Sequence, residues 1–148
     1  MRPWLIFGAG RGVGAHLLAL ANQHADSASN PRPVTLLIRN QQQAEELRNK
    51  GLTVVCGDAC DPASVREACQ LAGEDAAIIS TLGNNNANYQ GNRLIIDTAE
   101  QLGLKRMLWL HRSVVAIVGQ PSPLPPAQLL VRQCVRNHWP RVGYKPAT

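Results

Sequence analysis

Short apolar runs alternate with longer segments of helical period through the first 110 residues. The run "PWLIF" ends at a glycine and predicts a buried strand. "VGAHLLALANQH" follows, with Val13, Leu17, Leu20 and Ala21 at helical spacing, and predicts a helix that buries this face. "DSASNPRP" is polar and proline-bearing, and reads as a loop. "VTLLIRN" predicts a second strand, and "QQQAEELRNKG" a second helix closed by Gly51. "LTVVCGD" predicts a third strand. In "DPASVREACQLAG", Asp61 is the expected N-cap, Pro62 takes the first helical position, and Gly73 ends the helix. "DAAIISTLG" predicts a fourth strand. "NYQGNRLIIDTAEQLG" predicts a helix with Leu94, Ile95, Thr98 and Leu102 on one face, and "KRMLWL" a fifth strand.

Apolar strands separated by helices imply a parallel sheet covered on both faces. Right-handed crossovers wind such a chain into a three-layer α/β/α arrangement. The expected fold class is therefore α/β, a Rossmann-type doubly wound parallel sheet of about five strands. No internal repeat is present.

After Leu110 the pattern breaks. Five prolines fall between Pro121 and Pro140, and a sixth is Pro146. "VVAIVG" has the composition of a strand and "PAQLLVRQCVRN" that of a helix, but the last stretch predicts no element.

Charge sharpens the same boundary. The 148 residues carry a net charge of +5. Residues 1–100 hold eight Lys/Arg against ten Asp/Glu, while residues 101–148 hold seven Lys/Arg and no acid. The basicity thus belongs to one end. Aromatic residues are too few for a base-stacking ladder, so nucleic acid is not the expected partner. No secretory pattern opens the chain, and no run reaches the roughly 20 apolar residues of a membrane helix. Cys56, Cys60, Cys69 and Cys134 are accordingly expected to be reduced, in the cytoplasm. The sequence leaves the oligomeric state open.

The candidate chemistry lies in "FGAGRGVGAHLL". Gly8 ends the first strand, Gly10 and Gly12 fill a turn, and Gly14 enters the helix. G-x-G-x-x-G is not met, because its third glycine would fall on Val13. G-x-x-x-G-x-G is met by Gly8, Gly12 and Gly14. Such glycines let the backbone approach a pyrophosphate, which the N–H groups and dipole of the following helix stabilise. Position after a strand and before a helix is the context this motif requires. The expected cradle is Gly8, Ala9, Gly10, Arg11, Gly12, Val13 and Gly14. A ribose-binding acid usually ends the second strand of an NAD site. Arg39 stands there instead, and Arg11 lies in the glycine loop. Two guanidinium groups suit a 2′-phosphate, so NADP is the expected cofactor, with NAD the alternative.

With "GAGRGVG", "VTLLIRN", "LTVVCGDACDPASV" and "NYQGNRLIIDTAEQLGLKRML" in this order, residues 3–110 resemble the short-chain dehydrogenase/reductase superfamily. The likeness is to its atypical NAD(P)H-binding branch, which includes NmrA-like proteins and NADPH-dependent flavin reductases. The resemblance implies that Gly57, Asp58 and Ala59 lie beside the adenine. It implies that Ser80, Thr81, Leu82 and Gly83 line the path to the nicotinamide. It also implies a reductase passing hydride from NADPH to a small organic acceptor; the alternatives are an NAD(P) sensor without turnover, or a fragment without function.

Catalytic members carry a Tyr-x-x-x-Lys pair. Here Tyr89 is followed at that distance by Arg93 and stands ahead of the body of the fourth helix, while Tyr144 adjoins Lys145. Neither fits, and no catalytic residue is assigned. Cys56 and Cys60 lack the further ligands of a zinc site, so no metal is expected, and Cys56 reads as a small core residue. His16 and His111 read as structural or exposed. "GNNNANYQGN" reads as an exposed loop, placed to cover a cofactor.

The chain therefore divides into an expected NAD(P)-binding domain at 1–110 and a basic tail at 111–148. The branch normally continues past the fifth strand with a Thr-Ser turn and a charged helix. Back-translated and read one base earlier, "HRSVVAIVG" can decode as "TSVGGGDSW". The later tail can decode as "GQAVREKSLAESWLQTS". A frameshift near Leu110 to Arg112 would account for the prolines and the absent acids together; the competing reading is a divergent basic segment.

Overall fold

The computed structural model describes residues 2–26, 33–83, 86–110 and 115–118. Five strands run parallel: β1 (Trp4–Phe7), β2 (Val34–Ile38), β3 (Thr53–Cys56), β4 (Ala77–Ser80) and β5 (Arg106–Leu110). A sixth, β6 (Val115–Val118), pairs antiparallel with β5, Leu110 opposite Val115. The sheet order is β3-β2-β1-β4-β5-β6. The expected five-stranded sheet is present, and Val115–Val118 adds its antiparallel edge.

Four helices connect the parallel strands: α1 (Gly12–Asp26), α2 (Gln41–Asn49), α3 (Pro62–Ala72) and α4 (Asn86–Gln101). Alternation along each strand splits the core in two. Ile6, Leu36, Ile38, Val54 and Ile79 pack with Leu18 of α1 and Ala44 of α2. Leu5, Phe7, Leu37, Val55 and Ile78 pack with Val65 and Cys69 of α3 and Ile95 of α4. Burial on both faces makes the central strands β1, β2 and β4 mostly apolar. β2 is buried at every position.

Local capping follows the sequence. Asp61 caps α3 by accepting from Ser64 N at 3.0 Å, with Pro62 at the helix start and Gly73 at its end. Asn40 caps α2 by accepting from Gln43 N at 3.0 Å, and Gly51 follows with φ +83°.

Three expectations need correction. The buried face of α1 is Gly14, Leu17, Leu18 and Ala21, whereas Val13 and Leu20 are 53% and 52% exposed. Gly14 sets this phase: a Cβ there would collide with the Gly8 carbonyl oxygen, so the glycine faces the sheet. "GNNNANYQGN" is helical from Asn86, which puts Tyr89 inside α4 rather than ahead of it. Gly91 and Asn92 of that segment are buried, and packing overrides their preference for turns. Cys56 is exposed, because β3 is an edge strand and Cys56 is its last residue. His16 is exposed. His111, Cys134, Tyr144 and Lys145 lie outside the described residues. Among the described residues, no helix is long and apolar enough to cross a membrane, and no three potential metal ligands cluster.

Candidate functional site

Strand order reverses between β1 and β4, so their connections leave in opposite directions and open a crevice at the carboxyl edge of the sheet. A cleft of about 320 Å³ lies there, at the lower end of the usual small-molecule range. Gly8, Gly10 and Arg11 form one wall, Arg39, Asn40 and Gln43 a second, Gly57 to Cys60 a third, and Thr81 to Gly83 a fourth.

The glycine turn is held from two sides. Thr81 donates its hydroxyl to the carbonyls of Phe7 and Gly8, each at 3.1 Å, and its N–H to Phe7 O at 3.0 Å. This ties the exit of β4 to the exit of β1. A Cβ on Gly8 or on Gly14 would lie 2.7 Å from the same Thr81 oxygen, and Gly8 also has φ +86°. From the other side, Gln43 Nε2 donates to Gly10 O at 2.9 Å. A Cβ on Gly10 would lie 2.9 Å from Gln43 Oε1. The turn is therefore a bare-backbone cradle that side chains would fill. It opens onto the N-terminus of α1, whose first N–H groups have no intrahelical partner. These features fit a pyrophosphate.

The adjoining wall is cationic. Arg39 follows β2 with its side chain 81% exposed, and its Nη1 lies 3.9 Å from Asp58 Oδ2. So exposed a pair is weak and leaves the guanidinium available to an anion. Asp58 is oriented locally, since its Oδ1 accepts from Cys60 N at 2.8 Å. Burial, and then the Asp58 carboxylate, push the Cys60 thiol above its ordinary pKa. That thiol is therefore a poor nucleophile at neutral pH. At Gly57 a Cβ would overlap the Ser64 side chain, which keeps the third wall close to α3.

Of the residues expected from sequence, Gly8, Gly10, Arg11, Arg39, Gly57, Asp58, Ala59, Thr81, Leu82 and Gly83 line this one cleft. Ala9, Gly12, Val13, Gly14 and Ser80 do not line it. Ala9 is buried in the core, and Gly14 supports the turn from beneath. Ser80 is fully buried and donates to Asn92 Oδ1 at 2.5 Å. Sequence reasoning missed Asn40, Gln43 and Cys60. For Gln43 the signal was the phase of α2. With Asn40 as the cap, only the third of the three glutamines turns inward, while Gln41 and Gln42 stay exposed.

Known proteins are similar to this chain. Residues 8–131 match the family model for NAD(P)H-binding. ChuY from Escherichia coli O157:H7, described as an anaerobillin reductase, is 45% identical with a TM-score of 0.65, over 72% of this chain and 49% of that one. ChuY from E. coli CFT073 is 44% identical with a TM-score of 0.61, over 74% of this chain and 47% of that one. This chain thus spans about half the length of either ChuY. Triphenylmethane reductase from Citrobacter sp., solved with NADP(H), is 19% identical with a TM-score of 0.58, over 91% of this chain and 45% of that one, and shares the fold. No curated protein matches the sequence. On the family match and the fold together, the chain belongs to the NAD(P)H-binding family, within the atypical branch of the short-chain dehydrogenase/reductases.

Proposed function

We propose that this chain binds NADPH across the carboxyl edge of the sheet and derives from a reductase of a small organic acceptor. The observation that carries the reading is one cleft whose lining brings together a bare glycine turn, Arg11 and Arg39. In this reading Gly8, Ala9, Gly10, Gly12, Val13 and Gly14, with the start of α1, hold the pyrophosphate. Arg11 and Arg39 hold the 2′-phosphate. Gly57, Asp58 and Ala59 flank the adenine. Ser80, Thr81, Leu82 and Gly83 border the nicotinamide end, with Ser80 acting from beneath.

The bound cofactor supplies a hydride. The chain's own part is to orient it: Thr81 fixes the turn, and Leu82 offers an apolar, half-buried surface at that end. The likeness to ChuY supports a reductase, with anaerobillin among the acceptors to try. A sensor without turnover is the second reading. It is favoured by Arg93 standing one turn after Tyr89, where a catalytic pair needs Lys. We place the protein in the cytoplasm, and read the residues after Leu110 as a basic segment that adds β6 to the edge of the binding domain's sheet.

Titration of the purified chain with NADPH and NADH tests the binding reading, and tighter NADPH is expected. Equal or tighter NADH would overturn the NADP assignment. NADPH oxidation in the presence of quinone, flavin or anaerobillin separates the reductase from the sensor.

A further inference from the structure

The two guanidinium groups on the cleft belong to different loops. Arg11 follows β1 and Arg39 follows β2. One side chain joins these loops. Gln43 lies one turn into α2, and its amide donates to Gly10 O, the residue before Arg11. Its own backbone N–H is held by Asn40 Oδ1, the residue after Arg39. The connection runs unbroken from Arg39 through Asn40 and Gln43 to Gly10 and Arg11. Gln43 is half-buried and lines the same cleft as the two arginines.

We infer that Gln43 is a specificity-determining positioning residue, setting the separation of Arg11 and Arg39 so that both engage a 2′-phosphate. This rests on the NADPH reading of the cleft. Two unlinked arginines on exposed loops would each have to be ordered by the ligand, at a cost in affinity. The Gln43 bond fixes one loop against the other beforehand. It acts at the 2′-phosphate, so its loss weakens NADPH more than NADH.

The experiment is a thermodynamic cycle. Affinities for NADPH and NADH are measured by calorimetry for the wild type, Gln43→Met, Arg39→Ala and the double variant. Methionine keeps the length of the side chain and removes the donor. The expected result is an about fivefold fall in the NADPH/NADH affinity ratio for Gln43→Met, the size of one lost neutral hydrogen bond. In the Arg39→Ala background the same change has no further effect on the ratio, because the two act through one contact. An unchanged ratio in Gln43→Met, or fully additive effects, overturns the inference. A wild type that fails to prefer NADPH overturns the cofactor reading instead. Far-ultraviolet circular dichroism identifies a variant that does not fold, and Gln43→Leu then takes its place with the same two outcomes.

Discussion

Ser80 donates its hydroxyl to Asn92 Oδ1 at 2.5 Å, and both side chains are buried, Asn92 to 2% exposure. The pair joins the last residue of β4 to α4. Asn92 Nδ2 finds no hydrogen-bond partner among the described residues. A buried polar group without partners is costly, so the Ser80 bond is what makes Asn92 tolerable there.

Removing one member is therefore worse than removing both. Ser80→Ala should cost about 1–3 kcal/mol, since it strands the Asn92 carbonyl. Ser80→Ala with Asn92→Leu should recover part of that loss. Urea denaturation midpoints of the three proteins measure it. A double variant less stable than Ser80→Ala alone contradicts the account.

The glycines of the turn differ in what they do. Gly12 has φ +58° with open space around it, so Gly12→Ala should cost about 1–2 kcal/mol from backbone conformation alone. Gly14→Ala drives a methyl group into the Gly8 carbonyl and the Thr81 hydroxyl. It should cost more than Gly12→Ala and displace the turn, weakening NADPH binding as well. Thermal unfolding and a cofactor titration on each variant check this order.

Cys56 and Cys60 are both exposed, but Cys60 lines the cleft and Cys56 does not. Bound NADPH should slow alkylation of Cys60 and leave Cys56 unchanged. Cys69 is buried, and burial pushes its pKa up to about 11, so it should stay unmodified at pH 8 until the chain unfolds. Mass spectrometry after timed alkylation reads all three sites.

Asp61 accepts from both the N–H and the hydroxyl of Ser64, and these bonds lower its pKa. A carboxylate whose folded pKa is lowered contributes stability that is present above its unfolded value. That contribution is lost as pH falls through the folded value. Asp61→Asn keeps a capping oxygen but does not titrate. Its stability should therefore fall less steeply than that of the wild type on acidification below the ordinary carboxylate range. Urea midpoints across that range compare the two.

The tail has a separate test. The nucleotide sequence through and beyond the Leu110 codon either yields the family's Ser-bearing turn and charged helix one base earlier, or it does not. The second outcome leaves a divergent segment.

Much of this architecture was legible because strand period, glycine stops and caps act locally. Asp61, Pro62 and Gly73 mark α3 by their own backbone preferences. What was hidden depended on contacts between distant residues. The phase of α1 is set by Gly14 against Gly8, so hydrophobicity alone selected Val13 and Leu20 wrongly. "GNNNANYQGN" resembles a loop because asparagine and glycine favour turns. Asn92 is tolerated in the helix because its carbonyl meets Ser80, and position 91 is glycine because a Cβ there would press Ala59 at 3.2 Å. Cys56 was misread because its strand lies at the sheet edge, a fact of topology rather than of composition. In the site, the arginines were visible as charges at strand ends. The Gln43 amide was not, because its partner is a backbone carbonyl 33 residues away.

In the proposed function NADPH binds in the cleft that the glycine turn and Arg39 line. Calorimetric titration of the wild type and Arg39→Ala with NADPH and NADH tests it most directly. The account predicts tighter NADPH than NADH in the wild type, and a difference that shrinks or vanishes in Arg39→Ala while NADH binding is retained. Equal affinities in the wild type, or a preference for NADPH that survives loss of Arg39 undiminished, would contradict it.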